Sequence, residues 1–297
     1  MEKEKVLILL FSGTGNTRAV GAMIAGHFRD KGFSVETLEI KNPFPEIKDP
    51  DDYRFIGFGY PVHAFNIPRI FRRFLATLPK TSKAKAFIFK TAGEPLAFNS
   101  ASSFVLARTL RKKGYEVVSD ALFLMPYNIM FRFPDPAVKA MVRKAEDMSA
   151  KLVENLVRGK YEKVRFKKRY LLVATILRIQ YLGASLNGML CRADGKKCNR
   201  CLKCVRSCPT GNIALRNGKI KFSGKCTMCM RCTMMCPNDA IRFGLLNRWK
   251  VNGRYDFERI VNDDAIPDDF FEETQSRFFR WHRKYYHDLE EKEKSES

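Results

Sequence analysis

No cysteine occurs in the first 190 of the 297 residues, no uninterrupted apolar run approaches membrane-spanning length, and acidic side chains are scarce, 32 against 54 basic. Each shortage excludes something. A chain without cysteine over its first two thirds is no small disulfide framework, and its nine cysteines, all between 191 and 236, call first for metal or redox chemistry. The most apolar stretch, "YLLVATILRIQYLGASLNGML" (170–190), is interrupted by Arg178, Gln180 and Asn187, so an amphipathic helix is expected there, not a span. "MEKEK" leads into only six apolar residues, Val6 to Phe11, too few for a signal peptide, and the expected address is cytoplasmic. The shortage of acid leaves a formal net charge of +22. Residues 158–190 carry 8 basic and 1 acidic side chains, residues 191–244 carry 12 and 2, and residues 245–297 carry 10 and 13. Such a field steers acidic partners, nucleic acid or anionic membrane without choosing among them.

What is present begins with alternation. Val6–Phe11, Ser34–Glu39, Phe55–Tyr60, Lys85–Thr91 and Glu116–Met125 read as strands separated by helical patterns. Apolar runs between helices predict a parallel sheet covered on both faces, a doubly wound α/β domain over residues 1–158. The first helix repeats Val20, Ile24 and Phe28 and ends near Gly32; the last opens at "PDPA" with Asp135 as N-cap and ends before Gly159.

Between the first strand and first helix stands Ser12-Gly13-Thr14-Gly15-Asn16-Thr17. A dinucleotide fingerprint would need glycine where Arg18 stands, and the Walker sequence Gly-Lys-Ser/Thr is absent. Hydroxyls alternating with glycine at a helix N-terminus suit a phosphate monoester, held by backbone N–H groups, hydroxyls and the helix dipole. This loop resembles the FMN phosphate loop of flavodoxins. The resemblance implies a five-stranded sheet of order 2-1-3-4-5, with the flavin ring between the loops after strands three and four. Those loops hold Tyr60, Pro61, Val62, His63, Ala64 and Phe65, with Tyr60, His63 and Phe65 as stacking candidates, and then Thr91, Ala92 and Gly93.

The cysteines form a duplicated pattern, "CNRCLKCVRSCP" from 198 and "CTMCMRCTMMCP" from 226, each C-x2-C-x2-C-x3-C-P and offset by 28 residues. Three closely spaced thiolates reach corners of one [4Fe-4S] cube while the fourth, before proline, goes to the other cluster. One cluster is therefore expected on Cys198, Cys201, Cys204 and Cys236, the other on Cys226, Cys229, Cys232 and Cys208. "PTGNIAL" and "PNDAIRF" repeat, and Asn217-Gly218 signals a type I′ hairpin. Residues 191–245 resemble bacterial two-cluster ferredoxins, an α+β module. Cys191 lies outside both motifs and is expected to be a spare thiol.

Residues 159–190 form a basic linker and a helix with Leu172, Ile176, Ile179, Leu182 and Leu186 mainly on one side, expected to pack the two modules together; contact with a membrane surface is the less favoured role. Residues 246–297 read as a charged helical tail ending in disordered "KSES", with His282 and His287 solvated. The whole resembles flavodoxin–ferredoxin fusion proteins of anaerobes. This implies an electron-transfer iron–sulfur flavoprotein that passes electrons between FMN and two [4Fe-4S] clusters and joins two-electron to one-electron partners. A flavoenzyme reducing a small acceptor such as a quinone is one alternative, so enzymatic activity is left open, and a redox-sensing nucleic-acid binder is the other. Redox proteins are the expected partners, an acidic ferredoxin or flavodoxin among them, docking on the collar of Lys196, Lys197, Arg200, Lys203, Arg206, Lys225 and Arg231; nucleic acid is not favoured.

Overall fold

A computed structural model describes residues 3 to 296. Its first part runs β1 (Lys5–Leu10), α1 (Asn16–Asp30), β2 (Ser34–Glu39), β3 (Phe55–Pro61), α2 (Arg69–Phe74), β4 (Lys85–Ala92), α3 (Phe104–Lys112), β5 (Glu116–Leu124) and α4 (Asp135–Val157). The five strands are parallel and lie in the order β2-β1-β3-β4-β5. Alternation along β1 divides the core. Val6, Ile8 and Leu10 face α1 and α4, packing on Val20, Ile24, Phe28 and Met141, whereas Leu7 and Leu9 face α2 and α3, packing on Phe71, Phe74 and Leu106. Asp135 is the first residue of α4 and not its N-cap, which is Pro134; its carboxylate pairs with Arg259 of the tail instead.

A broken helical segment follows, α5 (Lys168–Ile176), a single 3-10 turn at 177–179, and α6 (Gln180–Leu190). The segment does pack on both modules, but with the face opposite to the one expected. Ala174, Ala184, Asn187 and Gly188 are buried, while Leu172, Ile176, Ile179, Leu182 and Leu186 point outward, each at least half exposed. Small residues win the inner face because the backbone approaches closely: a Cβ on Gly188 would lie 2.4 Å from the Cys226 side chain.

The cysteine-rich part contains β6 (Arg192–Ala193), α7 (Lys203–Arg206), β7 (Ile213–Arg216), β8 (Lys219–Phe222), α8 (Arg231–Met234) and β9 (Ile241–Arg242). β6 pairs with β9 and β7 with β8, all antiparallel, and Asn217 and Gly218 both take positive φ, as the hairpin signal requires. The 28-residue repeat is visible in the backbone. Arg200 and Leu202 are left-handed, and so are Met228 and Met230 at the equivalent positions.

The tail carries α9 (Phe257–Asn262), α10 (Phe270–Glu273) and α11 (Arg280–Glu296). The helix continues through Lys294 to Glu296, where disorder was expected from "KSES"; Ser297 lies outside the described residues. His282 is not solvated but fully buried among Phe133, Phe271, Phe278 and Phe279, its Nε2 hydrogen-bonded to the Gly93 carbonyl at 2.7 Å. Desolvation lowers its pKa, so the ring is neutral and Nε2 carries the donated proton.

A buried side chain, Arg231 of α8, bonds the two modules to each other. Its Nε donates to the Gly13 carbonyl at 3.0 Å, one terminal nitrogen donates to Ser207 O at 3.0 Å, and the other reaches Ser12 O and the Glu39 carboxylate. Against the desolvation that burial imposes, the Arg231 and Arg18 guanidiniums hold the Glu39 carboxyl below its ordinary range. Arg231 thus leaves the solvent-facing collar expected from the sequence, of which Lys196, Lys197, Arg200, Lys203, Arg206 and Lys225 remain exposed. Arg231→Met should lower stability by about 2–3 kcal/mol, since Glu39 and three carbonyls lose a buried charged partner. The check is thermal unfolding, where Arg200→Met, on the exposed collar, should change the midpoint little.

Candidate functional site

A cleft of about 300 Å³ opens at the carboxyl ends of the strands, beside the switch point between β1 and β3, where doubly wound sheets bind ligands. At one end lies the loop from Ser12 to Thr17. Ser12 Oγ accepts the N–H groups of Gly15 and Arg18, both at 3.2 Å, which closes the loop into a ring. Thr17 Oγ1 meets Thr91 Oγ1 at 2.8 Å, and Asn128 Nδ2 donates to Thr14 Oγ1 at 3.4 Å. Gly15 sits at φ 123° as the N-cap of α1 and has no side chain of its own to cap it, so of the first-turn amides Ser12 Oγ takes up that of Arg18. The hydroxyls of Ser12 and Thr14 act as acceptors in these bonds and keep their own hydrogens to donate to an anion.

The loop after β3 is a tight turn. His63 and Asn66 exchange backbone hydrogen bonds at 2.9 Å, with Ala64 and Phe65 both at positive φ. Pro61, Val62, His63, Ala64 and Phe65 line the cleft, as do Thr91, Ala92 and Gly93 after β4. Burial lowers the pKa of His63, which keeps its imidazole neutral near pH 7. Two expected residues fall outside the lining. Gly15 shapes the loop from behind, and Tyr60 is fully buried in the core, its hydroxyl shared between Ser102 and Ser103 Oγ at 3.1 and 2.8 Å and its ring edge-on to Phe71. Tyr60 ends inside because β3 alternates, which places it on the α2 and α3 face.

A third wall was missed, the loop after β5 from Met125 to Met130, together with Glu94, Leu96 and Asn99. Its signal was available: ligands bind beyond the carboxyl ends of strands, and "MPYNIM" directly follows the fifth. The Tyr127 ring lies so close to Gly93 that a Cβ there would be 2.0 Å from it. Desolvation and a hydrogen bond to Glu94 raise the Tyr127 phenol.

Each of the cleft loops is braced from outside the sheet. Gln180 Nε2 donates to His63 O at 2.6 Å and Asn66 Nδ2 to Ala174 O at 2.8 Å; His282 holds Gly93; Tyr255 Oη donates to Tyr127 O at 3.0 Å, and Met130 N to Trp249 O at 2.6 Å.

Two smaller cavities contain the motif cysteines, sorted as the repeat requires. One is lined by Cys198, Cys201, Cys204 and Cys236, the other by Cys208, Cys226, Cys229 and Cys232, with Cys191 at its edge. Among the described residues no three cysteine sulfurs lie within 4.8 Å of one another. A single zinc ion with Zn–S of about 2.3 Å would need them closer. The crossing cysteines sit alike: Asn212 N donates to Cys208 Sγ and Ala240 N to Cys236 Sγ, both at 3.2 Å. Burial raises the thiols of Cys226, Cys229 and Cys232, that of Cys229 to about 12, so iron charge is what would hold them as thiolates. Cys191 is buried, its Sγ donating to Asn187 O at 3.2 Å.

The second cavity abuts the cleft. A Cβ on Gly13 would stand 2.2 Å from the Cys229 carbonyl oxygen, so only glycine lets the hydroxyl-rich loop touch the cysteine loop.

Fold and site define a doubly wound, flavodoxin-like α/β domain joined to an iron–sulfur module. Residues 190–237 match the family of 4Fe-4S dicluster domains. No curated protein matches the chain. Among solved structures, flavodoxin 1 of Bacillus cereus aligns at 20% identity over 51% of this chain and 98% of its own, with a TM-score of 0.40. Flavodoxin 2 of the same organism aligns at 17% over 51% and 99%, TM-score 0.38. A flavo di-iron protein mutant from Thermotoga maritima aligns at 15% over 52% of this chain but 36% of its own, TM-score 0.35.

Thr14→Val removes a hydroxyl from the loop while keeping its shape. If the loop binds a phosphate, FMN affinity of the flavin-free protein should fall about 10- to 100-fold, as for one lost charge-assisted hydrogen bond. Quenching of FMN fluorescence on titration measures it, and unchanged affinity would place the phosphate elsewhere.

Proposed function

We propose that the protein is an electron-transfer iron–sulfur flavoprotein with FMN in the cleft and one [4Fe-4S] cluster in each cysteine cavity. The contact between Gly13 and Cys229 carries this reading, because it puts the flavin-phosphate loop against a cluster ligand within one chain. A bound flavin exchanges one or two electrons and each cluster one, so the arrangement joins partners of the two kinds.

The chain's own residues set the order. Cys208, Cys226, Cys229 and Cys232 form the inner station, held to the cleft by Arg231; Cys198, Cys201, Cys204 and Cys236 form the outer one, bordered by exposed Lys196, Lys197, Arg200 and Lys203. The flavin of this reading is FMN and not FAD, since a hydroxyl-rich loop at a helix N-terminus suits a terminal phosphate.

Anaerobic purification should give about eight iron and one FMN per chain. Released FAD, or zinc in place of iron, would defeat the reading. Steady turnover of a small acceptor at the bound flavin would instead make the protein an enzyme.

The lysine border predicts an acidic redox partner at the outer station. Association with an acidic ferredoxin or flavodoxin should slow steeply as salt rises from about 0.01 M to about 0.5 M. Lys196→Glu, Lys197→Glu and Lys203→Glu together should slow it at low salt while leaving iron and FMN content unchanged. Stopped-flow electron transfer measures both, and a salt-independent rate unaffected by the triple change would remove the docking role.

A further inference from the structure

The helical segment 168–190 turns its small and polar side chains inward and its large aliphatic ones to solvent. Leu172, Ile176, Ile179, Leu182, Leu186 and Met189 are each between 51% and 75% exposed. Their spacing of three and four keeps them in one stripe, about 26 Å long from Leu172 to Met189. This is not an amphipathic helix waiting to fold inward, because its other face is already bound: Asn66 Nδ2 donates to Ala174 O, Tyr181 Oη to Ile67 O at 2.6 Å, and Asn187 Nδ2 to Phe243 O at 3.4 Å. Directly before the stripe, residues 158–169 hold seven Lys and Arg against the one acid Glu162, and every one of the seven is exposed.

We propose that this segment docks the protein on an anionic membrane surface, the aliphatic stripe entering the boundary between headgroups and acyl chains and the basic run lying among the headgroups. The shape favours lipid over a protein groove. The stripe presents exposed aliphatic tips with no aromatic anchor among them, and a bilayer accommodates such a row without a matching pocket. The charge favours anionic lipid, since apolar and basic signals adjoin, the pairing that gives stable interfacial binding. No helix among the described residues is long and apolar enough to cross a membrane, so the contact is peripheral. Because Gln180 and Ala174 hold the turn after β3, a docked helix also brings that edge of the cleft near the surface. The proposal rests on this helix and its flank alone, whichever cofactors bind.

Flotation of the full chain with vesicles tests it. The protein should float with vesicles of equal phosphatidylglycerol and phosphatidylcholine at about 0.1 M salt and stay below with phosphatidylcholine alone. Ile176→Glu with Leu182→Glu, both at exposed positions, should weaken partitioning about 100-fold or more while circular dichroism is unchanged. Lys163→Gln, Lys167→Gln and Lys168→Gln together should weaken it about 100-fold. Absence of flotation with the anionic vesicles overturns the proposal. So does equal binding by the Ile176 and Leu182 variant, which would show adsorption through overall charge. Self-association that this variant abolishes, without vesicle binding by the wild type, would make the stripe a contact between copies and overturn it as well.

Discussion

The structure depends on a guanidinium lodged where water is excluded. Arg231 donates to three backbone carbonyls and a carboxylate, and two of those carbonyls, Ser12 and Gly13, belong to the loop that opens the cleft. A charge buried this far requires its partners, and its partners come from both modules. The same bonds that satisfy it therefore fix the distance and orientation of the hydroxyl-rich loop relative to the Cys229 loop. Arginine suits the position because its planar fork reaches several acceptors at once, where a lysine would supply only a point charge.

The cleft is completed by parts of the chain that lie far from it in sequence. The loop after β3 hangs from Gln180 and Ala174, the loop after β4 from His282, and the loop after β5 from Tyr255 and Trp249. Three loops at the carboxyl ends of a sheet have few hydrogen-bond partners of their own. Bracing by the linker helices and the tail holds their polar backbone groups without placing side chains in the cleft. The buried aromatic cluster around His282 serves the same end, since its neutral ring can both pack on Phe271 and donate to Gly93.

Much of the fold is legible in the order of residues because its signals are local. Apolar runs of strand length, glycine at helix ends and the 28-residue cysteine repeat all act within one element or its copy, whereas the sheet order is implied only by the resemblance of the hydroxyl-rich loop to that of flavodoxins. The cysteine sets are legible because the motif's known chemistry sends its fourth cysteine to the other set, and Cys236 and Cys208 line the cavities that rule assigns. Tyr60, Arg231, His282 and the leucine stripe were misread together, and the cause is common to them. Type and periodicity say that a side chain is aromatic, basic or apolar, but not which neighbour its face meets.

What the sequence by itself determined was thus the set of elements, the hydroxyl-rich loop and the two quartets of cysteines. Only the tertiary structure decided which quartet lies beside the loop, that the wall after β5 closes the cleft, and that the aliphatic face of the linker helix looks outward. Those choices turn on contacts between residues up to 219 positions apart, such as Arg231 with Ser12. They also turn on backbone approaches at Gly13 and Gly188 that exclude even a methyl group. Contacts at that separation leave no periodic trace in a single chain, because the partner's position along the sequence is set by packing and not by spacing.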